Sequence, residues 1–170
     1  GTNRQGEGSY KGNIDDLRIF NNALSAANIA SLAAGNDLAS SAITPAATLT
    51  LVNNLKVTNN LSINSGTLDV SSSNYDVNVG GNWTNNGTFN PRSGTVTLDG
   101  GDQSISGSTT FYNLTKTVTA PATLTFEAGQ TQTITGALTL QGTLENLLSL
   151  KSSLAGSQWY INPQGERNVS

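Results

Sequence analysis

The chain has 170 residues, of which 35 % are hydrophobic and only 11 % charged, and its formal net charge is −3. It contains no His, Cys or Met, which excludes thiol and imidazole catalysis, zinc sites of the Cys/His type and disulfide frameworks. Its eight Lys and Arg residues form no basic run, and no apolar stretch approaches the roughly 18 residues of a membrane helix, so we expect neither a nucleic-acid partner nor membrane insertion.

Small neutral residues take the place of the missing charged and apolar ones. The chain has 22 Thr, 21 Asn, 19 Ser and 18 Gly, which together make up 80 of its residues. Thr, Val and Ile alternate with polar residues, which predicts Thr/Asn-rich β structure rather than disorder, since disordered chains usually have few β-branched residues. The sequence opens with Gly-Thr-Asn and no signal peptide, so we expect an internal or processed piece of a longer protein.

The first 35 residues predict one strand and one helix. Apolar residues between Asn13 and Phe20 predict a short strand. Ser25 is a good N-cap and Gly35 suits the position just after a helix end, so the Ala-rich stretch between them predicts a helix. Residues 36–48 are small and polar with no periodicity, which indicates a linker or a capping segment.

The stretch from Gly12 to Ser25, followed by the Ala-rich helix, resembles the last strand and terminal helix of laminin-G-like (concanavalin A-like) jelly-roll domains. The resemblance implies that residues 1–35 are the C-terminal edge of such a domain. Because the sequence lacks the rest of a jelly roll, no carbohydrate- or calcium-binding function is carried over. We expect Asp15 and Asp16 to form a solvated strand end, with a calcium site as the less favoured alternative.

From residue 49 onwards the sequence repeats itself. Three short units start six residues apart, and in each of them two apolar residues flank a polar one: Leu49–Leu51, Leu55–Val57 and Leu61–Ile63. A longer unit, which ends in Gly-Thr and an apolar residue, recurs at residues 60–68, 81–89 and 136–144. Several very short strands in each unit of about 20 residues, with Gly and Asn between them, predict a β-solenoid.

We therefore predict an all-β fold in which residues 49–170 form a parallel β-helix. A β-sandwich is the competing fold, but it prefers strands of about five or six residues, and most alternating runs here are shorter. In the β-helix the apolar member of each strand points into a narrow core. The residues predicted to point inward are Leu49, Leu51, Leu55, Val57, Leu61, Ile63, Leu68, Val77, Val79, Trp83, Phe89, Val96, Leu98, Ile105, Leu114, Leu124, Phe126, Ile134, Leu138, Leu140 and Leu144.

Five stretches of this region resemble the repeats of large bacterial and archaeal secreted or surface proteins: Val77–Phe89, Gly94–Gly100, Gln103–Gly107, Phe111–Leu114 and Leu148–Ile161. In such proteins these repeats follow laminin-G-like domains and are expected to form right-handed parallel β-helices. The resemblance implies an extracellular or cell-surface location and further coils after the present ones.

Enzymes that act on polysaccharides also use the β-helix, so we considered pairs of carboxylates as catalytic groups. Asp99 and Asp102 are separated by two glycines, which indicates a tight turn rather than a positioned pair. Asp69 and Asp76 flank a Ser-rich loop with no cluster of basic residues, and Arg92 is the only Arg between residues 19 and 166. We therefore expect no enzyme, no cofactor and no metal site.

The Asn pairs at 53–54, 59–60 and 85–86 offer either a ligand surface or structural corners. We favour corners at which Asn adopts left-handed φ and stacks in side-chain hydrogen-bond ladders.

Three aromatic residues offer either sugar-stacking platforms or core packing. Trp83 occupies an inward position of the repeat, and core packing or covering of an end is the favoured role of all three. Trp159 and Tyr160 are kept as the candidate ligand-binding residues.

The function predicted from the sequence is that of a structural or adhesive segment of a large extracellular or cell-surface protein. It is expected to be a stiff rod whose partners are further coils of the parent protein or neighbouring copies, with head-to-tail stacking into a fibre as one outcome. A carbohydrate-binding adhesin that recognises surface glycans is the first alternative, and a polysaccharide-degrading β-helix enzyme is the second.

Overall fold

The computed structural model of the chain describes residues 13–14, 17–19 and 47–170. For the first five of these residues it gives the backbone alone. The predicted helix between Ser25 and Gly35, the predicted linker up to residue 46 and the pair Asp15–Asp16 lie outside the described residues.

Every regular element of the described part is a short β-strand, and no helix occurs in it. The strands are β1 Asn13–Ile14, β2 Leu17–Ile19, β3 Thr48–Thr50, β4 Leu55–Val57, β5 Leu61–Ile63, β6 Thr67–Asp69, β7 Val77–Val79, β8 Trp83–Asn85, β9 Thr88–Asn90, β10 Thr95–Leu98, β11 Gln103–Ser106, β12 Thr109–Phe111, β13 Asn113–Thr117, β14 Ala122–Phe126, β15 Thr131–Ile134, β16 Leu138–Gln141, β17 Leu148–Ser152, β18 Tyr160–Pro163 and β19 Arg167–Val169.

The strands stack as a parallel β-solenoid of about five turns, with three strands in each coil. Sheet A consists of β1, β4, β7, β10, β13, β16 and β19, and sheet B of β2, β5, β8, β11, β14 and β17. The third face is made of two separate sheets, sheet C with β3, β6 and β9, and sheet D with β12, β15 and β18. The parallel β-helix is therefore confirmed, and the β-sandwich, whose sheets are antiparallel, is excluded.

The stretch predicted as one strand between Asn13 and Phe20 contains two strands that belong to different sheets. β1 pairs with β4 in sheet A, and β2 pairs with β5 in sheet B. The solenoid sheets thus include residues that precede the predicted start of the repeats at residue 49.

The core is a narrow interior lined by columns of side chains at matching register positions. On sheet A one column runs through Leu55, Val77, Val96, Leu114 and Leu138, all of them buried. The number of residues between successive members of this column varies, so the coils differ in length. The extra residues lie in the corners. The thin interior explains why a low hydrophobic fraction suffices to build the fold.

The predicted inward residues are buried, with two exceptions. Leu49 is 40 % exposed because β3 is the first of the described strands of sheet C, so no described strand pairs with its outer edge. Leu144 is 98 % exposed because it lies in a protruding turn closed by an antiparallel bridge between Thr143 and Asn146. The predictions for these two residues were wrong. The core also contains residues that we had not predicted, and they are Val70, Phe111, Val118 and Ala122.

Candidate functional site

Asn side chains at one corner of the solenoid connect consecutive coils. Oδ1 of Asn60 accepts a hydrogen bond of 2.8 Å from the backbone N–H of Asn82, one coil later. Oδ1 of Asn82 in turn accepts a bond of 2.8 Å from the N–H of Ser104. These bonds satisfy backbone donors at the corner, where the strand ladder ends. Of the Asn pairs predicted to form ladders, Asn60 takes part in this one, which joins side-chain oxygens to backbone N–H groups rather than side chain to side chain.

A second ladder runs along another corner and uses Asn and Asp alternately. Oδ1 of Asn54 accepts a bond of 3.0 Å from the N–H of Asp76, and Oδ1 of Asp76 accepts one of 2.9 Å from the N–H of Thr95. Asp76 is therefore part of the corner structure rather than a partner of Asp69 in a catalytic pair.

The predicted left-handed φ of the Asn pairs is wrong. Among the non-glycine residues that the structure describes, only Ser71, Asn74 and Arg92 have positive φ. Asn54 and Asn60 supply hydrogen-bond acceptors for the next coil through their side chains. Oδ1 of Asn85 instead accepts a bond from the backbone N–H of Gly87 in its own coil.

The aromatic residues considered from the sequence have different surroundings. Trp83 is fully buried, as predicted. Trp159 is half-buried and stacks on Phe126 with ring centroids 4.1 Å apart and an interplanar angle of 7°. Tyr160 is 50 % exposed, and its hydroxyl donates a hydrogen bond of 3.3 Å to Oε1 of Gln158. Of the two candidate ligand-binding residues, Tyr160 is thus the one that presents more of its surface.

Asp99 and Asp102 each bind a partner of their own. A carboxylate oxygen of Asp99 lies 3.8 Å from Nζ of Lys56 in a partly exposed ion pair. Oδ1 of Asp102 accepts a hydrogen bond of 2.7 Å from the backbone N–H of Thr123 in the next coil. Both carboxylates thus make contacts that link coils, as corner residues do.

Asp69 forms the tightest ion pair in the described part of the chain, with Arg92 of the following coil. Nη2 of Arg92 lies 2.7 Å from Oδ2 of Asp69, and Nε donates a second bond of 3.1 Å to Oδ1. The Arg92 side chain holds the pKa of the Asp69 carboxyl below its usual value, against the opposing effect of burial. Sequence reasoning missed this pair because it considered Asp69 only with Asp76.

Lys116 is a fully buried lysine in the solenoid interior. Its Nζ donates hydrogen bonds to the backbone oxygens of Gly100 and Gly101, both at 2.9 Å, and to Oε1 of Gln103 at 2.6 Å. Nε2 of Gln103 donates to the backbone oxygen of Val79. The network therefore joins three consecutive coils, and all three ammonium donors have an acceptor.

Burial lowers the pKa of the Lys116 ammonium, while the negative charges of Asp102 and Asp99 act in the opposite direction. Sequence reasoning did not single out this residue. The signal was present in the alternation, because Lys116 lies two positions after the inward residue Leu114.

Two shallow grooves of about 240 and 400 Å³ lie next to each other along the edge between sheets A and B. The first is lined by Asp99, Gly100 and residues 117–122, and the second by Asp102, Glu145 and Leu147, among others.

In the described part of the chain no three Asp or Glu residues come together as a metal site would require. The described part also contains no helix that is long and apolar enough to cross a bilayer.

The comparisons with known proteins add no family. No protein-family model, curated protein or solved structure matches the chain.

The exposed large hydrophobic side chains lie only at the two ends of the solenoid. Between residues 55 and 140, all of which the structure describes, no such side chain is exposed. On the last coil, Leu150 occupies the register position that follows buried Leu124, and Val169 occupies the one that follows buried Leu140. Leu150 is nevertheless 38 % exposed and Val169 63 % exposed. The exposed residues at the two ends are Leu49, Val52, Leu144, Leu147, Leu150, Leu154, Tyr160 and Val169.

Proposed function

We propose that this chain is a structural segment of a large extracellular or cell-surface protein, in which it serves as a stiff, non-enzymatic rod. Three features support the proposal. The inward columns and the strand ladders run along the solenoid axis, the corner side chains bond each coil to the next, and the buried network around Lys116 joins three coils. The carboxylates weighed as catalytic groups are engaged in the same kind of structural contact.

The observation that carries the proposal is the exposure of apolar side chains on the last coil. Leu150 and Val169 lie on buried columns and are exposed because, among the described strands, none lies beyond β17 in sheet B or β19 in sheet A. The outer edges of these strands offer unpaired backbone groups together with apolar side chains, a combination that favours pairing with another strand. Further coils of the parent protein, or a neighbouring copy, complete this face. A contact between unlike ends does not close on itself, so neighbouring copies would form a head-to-tail fibre.

Sedimentation velocity over a series of protein concentrations tests the proposed self-association. We expect the chain to form larger species as its concentration rises. Leu150→Glu and Val169→Glu are each expected to shift that association to concentrations about tenfold higher, because they place a charge in the apolar contact. Ser149→Glu is the matched control, since this neighbouring side chain on β17 lies on the outer face and is already exposed. A monomer at every concentration would refute the head-to-tail contact.

The second candidate is a carbohydrate-binding adhesin, and the half-exposed ring of Tyr160 is the observation that favours it. An aromatic ring with a polar edge suits sugar binding because it stacks on the apolar face of a pyranose. A glycan array with the wild type, Trp159→Ala and Tyr160→Ala tests this function. Binding that is lost in Tyr160→Ala would support it, whereas no binding, or binding unchanged in both variants, would rule it out.

A further inference from the structure

The third face of the solenoid is interrupted between two coils. β9 pairs with β6 and β12 pairs with β15, but no ladder joins β9 to β12, although every residue of both strands is described. Sheets A and B continue without a gap at the same level, because β7 pairs with β10 and β8 pairs with β11. We call the gap between β9 and β12 the third-face break.

The connections to sheet A differ in length on the two sides of the break. The chain uses residues 70–76 between β6 and β7, and residues 91–94 between β9 and β10. After β12 a single residue, Tyr112, leads into β13. β9 and β12 nevertheless remain neighbours, with close approaches of their Cα atoms, although no ladder joins them.

Aromatic side chains fill the space behind the third-face break. The ring centroids of Trp83 and Phe89 are 4.9 Å apart, those of Trp83 and Phe111 are 5.2 Å apart, and those of Phe89 and Phe111 are 6.1 Å apart. Trp83 and Phe111 are fully buried, and Phe89 is nearly so. Each ring comes from one side of the break or from the sheet beside it, so the cluster holds the two sides together without backbone bonds.

Thr109 provides the polar contact across the third-face break. Its Oγ1 accepts hydrogen bonds of 3.1 Å from Nε1 of Trp83 and 3.2 Å from Nδ2 of Asn85, both on β8 of the preceding coil. Its backbone N–H donates to the side-chain oxygen of Gln132 in the following coil. These side-chain bonds and the ring contacts are therefore what resists opening of the third face.

We infer that the third-face break is a hinge of the solenoid. The coil of β7–β9 and the coil of β10–β12 separate along the third face while sheets A and B stay paired. The inference depends only on contacts inside the solenoid and is independent of the proposed self-association. Opening exposes the indole of Trp83, because its N–H on β8 is bonded to Oγ1 of Thr109 on β12 of the next coil.

Hydrogen exchange by NMR tests the hinge, because it compares two kinds of buried, bonded N–H at the same level of the solenoid. The Trp83 indole N–H reports opening of the third face, and the backbone amides of β8 and β11 report opening of sheet B. After correction for intrinsic rates, we expect the indole N–H to exchange at least about tenfold faster than those amides.

Two variants sharpen the test. Thr109→Val removes the acceptor of the Trp83 indole with little change of shape, and we expect it to speed exchange of that N–H several-fold further while the β8 and β11 amides keep their rates. Thr133→Val, on β15 of sheet D, is the matched control and should change neither rate. Equal protection of the indole and the β8 amides in the wild type would overturn the hinge. So would acceleration of all these groups together in Thr109→Val, since both results mean that the coils open as one unit.

Discussion

Lys116 shows how single polar side chains hold this narrow solenoid together. A buried ammonium is unfavourable unless its donors are bonded, and here two backbone oxygens and one side-chain oxygen are the acceptors. Gly100 and Gly101 lie in the corner between β10 and β11 and Gln103 begins β11, so the lysine of one coil fixes the corner of the coil before it. Lys116 thus stabilises the fold through hydrogen bonds to residues that are distant in the sequence and lie in the preceding coil.

Replacing Lys116 by Met is expected to lower the free energy of unfolding by about 2–3 kcal/mol, because it removes the charged donor of three hydrogen bonds. Chemical denaturation measures this change. Lys151→Met is the matched control, since Lys151 is exposed on β17, and its effect should stay within about 0.5 kcal/mol. Equal effects of the two substitutions would show that the buried network does not stabilise the fold.

The ion pair of Asp69 predicts a dependence of stability on pH. Because Arg92 lowers the pKa of Asp69 in the folded state, the folded chain binds fewer protons than the unfolded chain in acid. The contribution of the pair is fully present above the ordinary pKa of 3.8 and is lost as the pH falls through the lower folded-state value. We expect Asp69→Asn to be less stable than the wild type at neutral pH, and the difference to shrink as the pH falls below about 4.

Denaturation measured at several pH values checks this expectation. Lys56→Gln serves as the control, because it removes the exposed pair with Asp99 and leaves the Asp69–Arg92 pair intact. A difference between Asp69→Asn and the wild type that stays constant down to low pH would contradict the account.

At the scale of the elements, very short strands are positioned by corners that bring consecutive coils into close contact. Gly107, between β11 and β12, has a φ of +76°, and a Cβ built on it would lie 2.0 Å from the backbone oxygen of Asn85. Gly129, between β14 and β15, has a φ of +78°, but a Cβ there would meet nothing within 4 Å. The two glycines therefore share a backbone conformation and differ in the space around them.

Substitution of these glycines by Ala separates the cost of a left-handed backbone from the cost of a collision with the preceding coil. Gly129→Ala should destabilise the chain by about 1–2 kcal/mol, the penalty for a left-handed residue with a Cβ. Gly107→Ala should destabilise it by about 3 kcal/mol or more, because the added Cβ also collides with the preceding coil. Thermal or chemical unfolding of both variants measures the difference. Similar losses in the two would mean that contact between coils at Gly107 is loose.

The strands were predictable from the sequence because alternation at a period of two sets the face of every residue. Residues such as Val57, Ile63 and Leu140 point inward as that pattern requires. The corners were less predictable, since their lengths vary and Leu144 follows the repeat pattern while lying in a protruding turn. The pair of Asp69 and Arg92 was missed because its partners are neighbours only after the coils have stacked.

At the scale of the whole molecule, the composition follows from the architecture. Each coil needs only a few apolar residues to fill a thin interior, and Thr, Ser and Asn occupy the outer positions of strands and the corners. The apolar side chains that remain exposed lie at the ends, where the columns are not covered. The described part of the solenoid is thus polar along its sides, and its exposed apolar side chains lie at its ends.

If a neighbouring copy completes the last coil, as proposed, coils pair between molecules as they do within one. Diffraction from an oriented sample of assembled chain tests it most directly, because the spacing between paired strands then lies along the fibre axis. We expect a reflection at about 4.7–4.8 Å on the meridian, and its loss in Leu150→Glu, which blocks the end contact. An assembly without that meridional reflection, or a chain that forms no fibre at any concentration, would contradict head-to-tail stacking of copies.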